Sequence, residues 1–334
     1  MKYVVIGLGA IGSIIGGLLS KSGLNVELIG KKNQIEKIVK KGIKIYGIKE
    51  SILVEKINAS DDFSQVQDAD VIFVCVKAQD TQNVADELKK YIKKSAIIIS
   101  LQNGIRNSRI LENTTGNRSY SGVILFNALY SQRGEVTLTL KGGLIIEVDN
   151  YSENIIKSFI ESLKKFDIKI KLENVIEGYL WSKLIVNLQN AVTTLTNQTV
   201  KESILNNDTR AIIIATMKEG LSVLDKSGIT YETLPDIDPK KTISRLEVLN
   251  SALLRRGSQI LKLNENARNS MWQSISRGRP TEIDYLNGEI VNLAIENNLN
   301  APINTKLVEL IKKAEKDSFK NKYSPKELRK LLKF

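Results

Sequence analysis

The 334-residue sequence contains no histidine and a single cysteine, and both facts narrow the chemistry available to it. Without histidine, no His-dependent triad, no histidine acid or base and no common zinc site can form, so we expect no metal. Cys75 excludes an intramolecular disulfide, and its place in an apolar run indicates a buried structural thiol. If the protein is an enzyme, its proton donor near neutrality must be Lys, Tyr, Cys or a carboxyl group with a shifted pKa.

The sequence also lacks any uninterrupted, strongly apolar stretch of about eighteen residues, so we expect no membrane span and a cytoplasmic protein. Lys and Arg outnumber Asp and Glu by 49 to 37, a net charge of +12. The lysines are dispersed, and no compact basic stretch is interleaved with aromatic residues, so we expect no nucleic-acid partner. Attraction for phosphorylated or carboxylate ligands explains the charge as well.

What the sequence does contain begins with a strand, glycine turn, helix and strand in that order. Strands are predicted over 3–6 and 26–29, with a helix over 13–22 between them. In this order a G-x-G-x-x-G turn binds the pyrophosphate of a dinucleotide on the helix amino end, where N–H groups and the dipole favour anions. We predict that the cofactor contacts all six residues of the turn: Gly7, Leu8, Gly9, Ala10, Ile11 and Gly12.

The end of the second strand bears on which dinucleotide binds. An NAD enzyme usually carries Asp or Glu there, on the ribose 2′-hydroxyl. Here the chain reads Ile29-Gly30-Lys31-Lys32. Glu27 lies within the strand, two residues before the position where such a carboxylate is expected. Two ammonium groups suit a 2′-phosphate, so NADP(H) is favoured; the alternative is that both lysines are merely exposed.

Two later apolar runs predict central parallel strands over 70–76 and 96–100. The first is followed by Lys77 and the second by Asn103. Because ligands of doubly wound sheets bind at the carboxyl edge of the strands, we expect both residues near the glycine turn. The alternative is that Lys77 and Asn103 are ordinary loop residues, since a single polar residue in a loop more often binds no ligand.

Further strands are predicted over 43–46 and 52–57 as a hairpin, and then over 121–130, 136–140, 144–148 and 168–172, with a helix over 154–165. Beyond residue 174 strand signals vanish, and helices are predicted over 180–195, 207–226, 240–254, 264–276, 281–297 and 304–316. We therefore predict an α/β amino-terminal domain, residues 1–174, and an all-α carboxyl-terminal domain, residues 175–334, with an active cleft between them.

The segment 180–195 is the centre of the functional prediction. As one helix, it places Lys183, Asn187, Asn190 and Thr194 on a single face, while nearly every other residue is apolar. This pattern indicates a buried helix with one polar seam. Burial lowers the pKa of lysine readily, which is how catalytic lysines arise. The alternative is that the seam only lines a water-filled groove or another helix.

A second polar segment runs from Ser270 to Gly288. Gly278 can close one helix, and Thr281 with Asp284 is a candidate capping box for the next. Glu282 would then lie in the first turn of that helix, near the positive end of its dipole. The alternative to a functional Glu282 is a first-turn acid with no other role.

At these residues the sequence resembles the ketopantoate reductases (2-dehydropantoate 2-reductases), over nearly its whole length. The motifs that carry the resemblance are the glycine turn at 7–12, Val76-Lys77-Ala78, Gln102-Asn103-Gly104, the segment 180–187 and the segment 278–288. The last two motifs are specific to that family.

The resemblance implies a Rossmann-type domain followed by an all-helical domain, and NADPH-dependent reduction of 2-dehydropantoate to (R)-pantoate on the route to pantothenate and coenzyme A. It implies a small-molecule 2-oxo acid as substrate and leaves a homodimer open. By motif position the implied roles are: Lys183 as general acid, Glu282 as a carboxylate beside cofactor and substrate, Asn187 and Ser270 as substrate contacts, Lys77 and Asn103 beside cofactor and reaction centre, and Lys31 on the 2′-phosphate.

The chain departs from the family pattern at two places. Some members have a second substrate asparagine where this chain has Ala191, and Asn190, one residue earlier, is the candidate replacement. Where some members carry a glutamine after Lys77-Ala78, this chain has Asp80. Two other functions stay open: a reductase of the same fold acting on another branched 2-oxo acid, and a non-catalytic NADP(H)-binding sensor.

Overall fold

The computed structural model describes residues 1–48, 50–132, 134–235, 237–248, 267–320 and 322–333. The chain divides into two compact units, Met1–Ile176 and Glu177–Phe334. The first unit combines β-sheets with helices, and the larger sheet is mixed and mainly parallel; the second unit is helical.

The strands of the first unit form an eight-stranded and a four-stranded sheet in the described residues. In chain order they are β1 (Lys2–Ile6), β2 (Asn25–Ile29), β3 (Ile43–Tyr46), β4 (Ile52–Val54), β5 (Asn58–Ser60), β6 (Val71–Val74), β7 (Ile97–Ser100), β8 (Ser119–Ile124), β9 (Asn127–Gln132), β10 (Glu135–Leu140), β11 (Leu144–Glu147) and β12 (Ile170–Glu173). The large sheet has the order β12-β11-β8-β7-β6-β1-β2-β5, and the small sheet the order β4-β3-β10-β9.

Two strand predictions are corrected by this topology. The single strand predicted over 121–130 is two strands, β8 in the large sheet and β9 in the small one. The hairpin predicted from 43–46 and 52–57 does form between β3 and β4, but β4 ends at Val54. The next strand, β5, pairs with β2 in the large sheet instead. Apolar alternation alone does not say which sheet a strand joins.

The central strands of the large sheet are buried on both faces, as their apolar runs predict. Along β1, Tyr3 and Val5 pack into one apolar cluster, whereas Val4 and Ile6 pack into another on the opposite face. The ring of Phe73 in β6 lies 4.5 Å from the ring of Phe159, joining the sheet to a covering helix.

The helices of the first unit are α1 (Ala10–Lys21), α2 (Lys32–Lys41), α3 (Thr81–Tyr91), α4 (Asn107–Thr115), α5 (Ser152–Ile155) and α6 (Lys157–Lys164). Those of the second unit are α7 (Glu177–Asn187), α8 (Gln189–Leu195), α9 (Val200–Leu205), α10 (Asn207–Lys226), α11 (Pro239–Val248), α12 (Ser270–Ile275), α13 (Asn287–Glu296), α14 (Pro302–Lys316) and α15 (Pro325–Leu331).

The helix predicted over 207–226 is confirmed at both ends. It begins where Asn206 caps it, by accepting a hydrogen bond from the Thr209 N–H at 3.0 Å. The helices predicted over 240–254 and 264–276 are seen as α11 and α12, and the remainder of each prediction lies outside the described residues. The helix predicted over 154–165 is interrupted at Ile156.

The beginning predicted for the helix over 281–297 is wrong. A 3-10 turn covers Ile283–Tyr285, and α13 starts only at Asn287. The Thr281–Asp284 capping box is also wrong, because the Thr281 hydroxyl accepts from the Ile283 N–H at 3.2 Å. Gly278 does follow the end of α12, with φ +63°.

Among the helices in the described ranges, none combines the length and apolar character that crossing a bilayer requires.

Candidate active site

The glycine turn of the first unit has the backbone that a dinucleotide site needs. Gly7 has φ +97°, and a Cβ there would lie 2.7 Å from Val76. A Cβ on Gly12 would lie 2.0 Å from the Gly7 carbonyl oxygen, so this glycine lets the helix start against the turn. A Cβ on Gly9 would meet nothing within 4 Å, which leaves open space where a phosphate could approach the backbone.

The amino end of α1 points the same way. Its N-cap residue is Gly9, and no side chain caps the helix. A helix whose first N–H groups carry no side-chain cap is a ready anion site. The open space at Gly9 and this helix end together fit a pyrophosphate.

The loop after β2 is tied to the glycine turn by a residue that the sequence analysis missed. The Gln34 side-chain amide donates to the Leu8 carbonyl at 2.9 Å, and its oxygen accepts from the Lys31 N–H at 3.4 Å. Lys31 itself is exposed and begins the helix α2 as its N-cap residue. The helix α2 was not predicted, because most of its residues are polar or charged. The only local signal for it is the helical spacing of the apolar residues Ile35 and Ile38.

Four parallel strands end in register at this edge of the large sheet. Ile6 pairs with Ile29 on one side and with Val74 on the other, and Val74 pairs with Ser100. The segments that follow these ends carry the glycine turn, Lys31, Lys77 and Asn103. The predicted meeting of these segments at one sheet edge is therefore confirmed, while the roles of the side chains stay predictions.

Cys75 directly follows β6 at this edge, next to the glycine turn. Its Cβ is 3.2 Å from the position a Cβ on Gly12 would occupy. Burial raises the pKa of its thiol, which keeps it protonated near neutral pH. This supports the structural reading of the cysteine.

In the second unit, Lys183 lies on α7 and Glu282 just before the 3-10 turn. Desolvation by burial lowers the pKa of Lys183 to about 8, and the negative charge of Glu282 opposes that shift. Glu282 is only 4% exposed, so its charge acts with little screening by water. An amine of this pKa is mostly protonated at pH 7 yet gives up its proton far more readily than an ordinary lysine.

The segment carrying Glu282 contacts α14 at Thr281, the residue before it, and at Asp284, two residues after it. The Thr281 N–H donates to the Glu315 carboxylate at 2.7 Å, and Asp284 forms an ion pair of 2.7 Å with Lys312. Both partners lie on α14. The Thr281 bond holds the backbone directly before Glu282, whereas the Asp284 pair is a solvent-exposed side-chain contact and contributes little.

The seam predicted on one helix is spread over two, because the helix is interrupted at Leu188 between α7 and α8. The apolar positions are buried as predicted, with Leu184, Ile185, Leu188 and Leu195 at 2% exposure or less. Lys183 and Asn187 are partly exposed, whereas Asn190 and Thr194 are buried. Only the first half of the seam is thus accessible.

The second half of the seam packs against Asn269, which the sequence analysis also missed. The Thr194 hydroxyl donates to Asn269 Oδ1 at 3.3 Å, and Asn269 Nδ2 donates to the Asn190 carbonyl at 3.2 Å. For Thr194 the alternative reading, contact with another helix, is therefore correct. Asn269 Oδ1 also accepts from the Trp272 N–H at 2.8 Å and so caps α12, which places Ser270 at the start of that helix beside α8.

Two family models account for most of the chain. The model described as "Ketopantoate reductase PanE/ApbA" matches residues 3–150, and "Ketopantoate reductase PanE/ApbA C terminal" matches residues 175–315. The chain belongs to the ketopantoate reductase family. The resemblance drawn from the motifs is confirmed, and so is the Rossmann-type fold with a helical second part.

Individual members of the ketopantoate reductase family cover almost the full length of the chain. A 2-dehydropantoate 2-reductase of Pyrococcus abyssi is 32% identical over 94% of this chain and 98% of its own. The crystal structure of a PanE/ApbA family ketopantoate reductase from Ralstonia eutropha has a TM-score of 0.82 at 27% identity, covering 95% of this chain and 99% of its own.

A solved structure with another name shares the fold. The ternary structure of D-mandelate dehydrogenase with NADH and anilino(oxo)acetate has a TM-score of 0.78 at 23% identity, covering 95% of this chain and 99% of its own. The fold of the family is therefore not confined to one substrate. The substrate must therefore be inferred from the residues of the site.

Proposed function

We propose that this oxidoreductase reduces 2-dehydropantoate to (R)-pantoate with NADPH, on the route to pantothenate and coenzyme A. The observation that carries the proposal is the pairing of Lys183 on α7 with the buried carboxylate of Glu282, where burial lowers the pKa of the lysine and the carboxylate opposes that shift. Membership of the ketopantoate reductase family and the near full-length match to a protein named for this reaction support the same substrate.

The cofactor is assigned to the first unit, where all six residues of the glycine turn, Lys31, Lys77 and Asn103 would hold it. The open space at Gly9 and the uncapped amino end of α1 fit its pyrophosphate. When bound, the reduced nicotinamide would supply the hydride. A nicotinamide dinucleotide is supported by the NADH in the D-mandelate dehydrogenase structure, and the choice of NADPH is supported by Lys31 and Lys32 where an NAD enzyme usually has a carboxylate.

Lys183 acts as the general acid in this proposal. As the ketone at C2 of the substrate is reduced, negative charge develops on its oxygen. Lys183 stabilises that charge and donates its proton to the oxygen. Glu282 keeps the ammonium charged near neutral pH by opposing the effect of burial on its pKa. With no histidine in the sequence, this lysine is the residue best suited to the task.

The substrate is assigned to neutral hydrogen-bonding groups of the second unit. Asn187 is partly exposed one turn after Lys183, and Ser270 is partly exposed at the start of α12. Asn190, the candidate replacement for the later asparagine of other members, lies in the buried half of the seam, so its contact with the substrate stays a prediction. Amide and hydroxyl groups can bind the carboxylate and hydroxyl of a 2-oxo acid without competing as acids.

A second candidate is reduction of another branched 2-oxo acid by the same residues. The D-mandelate dehydrogenase neighbour, which was solved with anilino(oxo)acetate, favours keeping this alternative. A non-catalytic NADP(H) sensor is disfavoured, because cofactor binding alone does not require a desolvated lysine beside a buried carboxylate on the second unit.

The test is a steady-state assay of NADPH and NADH oxidation with a panel of 2-oxo acids that includes 2-dehydropantoate. We expect the highest kcat/KM with 2-dehydropantoate and NADPH. A higher kcat/KM with another acid would favour the second candidate, and tight NADPH binding without turnover on any acid would favour the sensor. The homodimer and the cytoplasmic location stay predictions.

A further inference from the structure

A buried polar cluster lies behind the sheet edge that carries Lys77 and Asn103. We define the edge cluster as Thr81, Gln102 and Asn107, which are each 6% exposed or less. Thr81 and Asn107 are the first residues of α3 and α4, the helices that follow the two loops. None of the three is among the residues assigned a role in the proposed reaction.

Each helix start bonds back to the loop before it. The Thr81 hydroxyl lies 2.8 Å from the carbonyl oxygen of Ala78, the residue after Lys77. The Asn107 side-chain amide donates to the carbonyl oxygen of Asn103 at 2.7 Å. These bonds fix the backbone of both loops close to the two predicted site residues.

The two loops are also bonded to each other through the same threonine. The Gln102 amide donates to the Thr81 hydroxyl oxygen at 2.7 Å, and that hydroxyl lies 2.9 Å from Asn107 Oδ1. Gln102 Oε1 in turn accepts from the Ser100 hydroxyl at 3.0 Å, which anchors the cluster to β7.

The hydroxyl of Thr81 is the junction of the edge cluster. It has a single proton, which it can donate to Ala78 or to Asn107, while its oxygen accepts from Gln102. Removing this hydroxyl would leave the buried Gln102 amide without its acceptor and one buried oxygen without its donor. Since unpaired buried polar groups are costly, both loops would have to move to find new partners.

We propose that Thr81 is a positioning residue, which holds the Lys77 loop and the Asn103 loop in fixed register for the cofactor. The inference rests on the proposed function only in taking Lys77 and Asn103 as cofactor-side residues. Thr81 acts through them and touches neither reactant, and a displacement of about 1 Å in a reacting group can cost about 100-fold in rate.

The test compares Thr81→Val, which keeps the shape but loses the hydroxyl, with Thr81→Ser, which keeps the hydroxyl. Thr115→Val is the matched control, since Thr115 is a buried threonine of α4 whose hydroxyl donates to Leu111 at 2.8 Å, far along the helix from Asn103. We expect Thr81→Val to lower kcat/KM by about 10- to 100-fold and to weaken NADPH binding. Thr81→Ser and Thr115→Val should stay close to wild type in both measurements.

A double-variant comparison separates positioning from general destabilisation. If Thr81 acts through Lys77 and Asn103, adding Thr81→Val to the double variant Lys77→Ala, Asn103→Ala should cost far less than it costs in the wild type. Equal losses in both backgrounds, or wild-type kinetics for Thr81→Val, would overturn the inference.

Failure of the proposed function would show itself differently, as a wild-type protein that reduces none of the acids. The NADPH titration would then decide the matter alone. Weaker binding by Thr81→Val, restored in Thr81→Ser, would support the positioning role, and unchanged binding would overturn it.

Discussion

Lys183 and Glu282, 99 positions apart in the sequence, act on each other electrostatically within the second unit. Burial lowers the pKa of the lysine to about 8, and the carboxylate limits that shift. The lysine is an acid that can release its proton near neutral pH, and the negative charge of Glu282 favours its protonated form. Its pH behaviour is therefore predictable in sign.

We predict that kcat/KM falls as the pH rises through about 8, because Lys183 must be protonated to act as the acid. Glu282→Gln removes the charge that raises the lysine pKa, so the alkaline limb should move to lower pH. The measurement is the pH dependence of kcat/KM for both proteins. An alkaline limb that stays in place or moves to higher pH in Glu282→Gln would contradict the electrostatic role of Glu282.

Lys31 should decide the preference for NADPH. An exposed ammonium beside the 2′-phosphate contributes through a charge-assisted contact that NADH lacks. We expect Lys31→Ala to raise the KM for NADPH by about tenfold and to leave the KM for NADH unchanged. Lys40→Ala, an exposed lysine in the last turn of α2, is the control for net charge. Parallel changes for both cofactors would show that Lys31 does not read the phosphate.

The two glycines that open α1 should respond differently to alanine. A Cβ on Gly9 meets open space, so Gly9→Ala should leave the melting temperature of the free protein near that of the wild type and weaken NADPH binding. A Cβ on Gly12 would lie 2.0 Å from a carbonyl oxygen, so Gly12→Ala should destabilise the fold by about 1–3 kcal/mol or more. Calorimetry and an NADPH titration check both, and intact NADPH affinity in Gly9→Ala would argue against a phosphate at that position.

Substitutions in the two halves of the polar seam should have different effects, on KM in the accessible half and on stability in the buried half. Asn187 is partly exposed after Lys183, so Asn187→Ala should raise the KM for the 2-oxo acid with little effect on thermal unfolding. Thr194 is fully buried and bonded to Asn269, so Thr194→Val should lower stability by about 1 kcal/mol and change KM little. The reverse pattern would show that the accessible half of the seam has been assigned wrongly.

Much of the fold was predictable because its signals are local. The continuous apolar runs of β6 and β7 report strands buried on both faces, and the change from strands to helices near residue 174 is visible in the periodicity. The division of 121–130 between two sheets was not predictable, because nothing local in the sequence shows that β8 pairs with β7 and β11 whereas β9 pairs with β10.

The sequence predicts those residues of the candidate site whose charge makes them stand out. It does not predict the residues that act through hydrogen bonds to distant parts of the chain. Lys183 is visible as a charged residue in an apolar segment, and Glu282 as part of the family motif at 278–288. Gln34, Asn269 and Thr81 act through hydrogen bonds to residues that are distant in sequence, and nothing local marks them out from ordinary polar residues. The interruption of the helix at Leu188 could not be predicted either, because every residue around it favours a helix or tolerates one.

The central claim is that Lys183 supplies the proton, and hydride transfer measured in a single turnover of Lys183→Ala tests it most directly. The rate of NADPH oxidation with 2-dehydropantoate should fall by about 100- to 10,000-fold while the Kd for NADPH is unchanged. Lys306→Ala, which removes an exposed lysine paired with Glu309 at 2.7 Å, should keep the wild-type rate. A wild-type rate in Lys183→Ala would contradict the account.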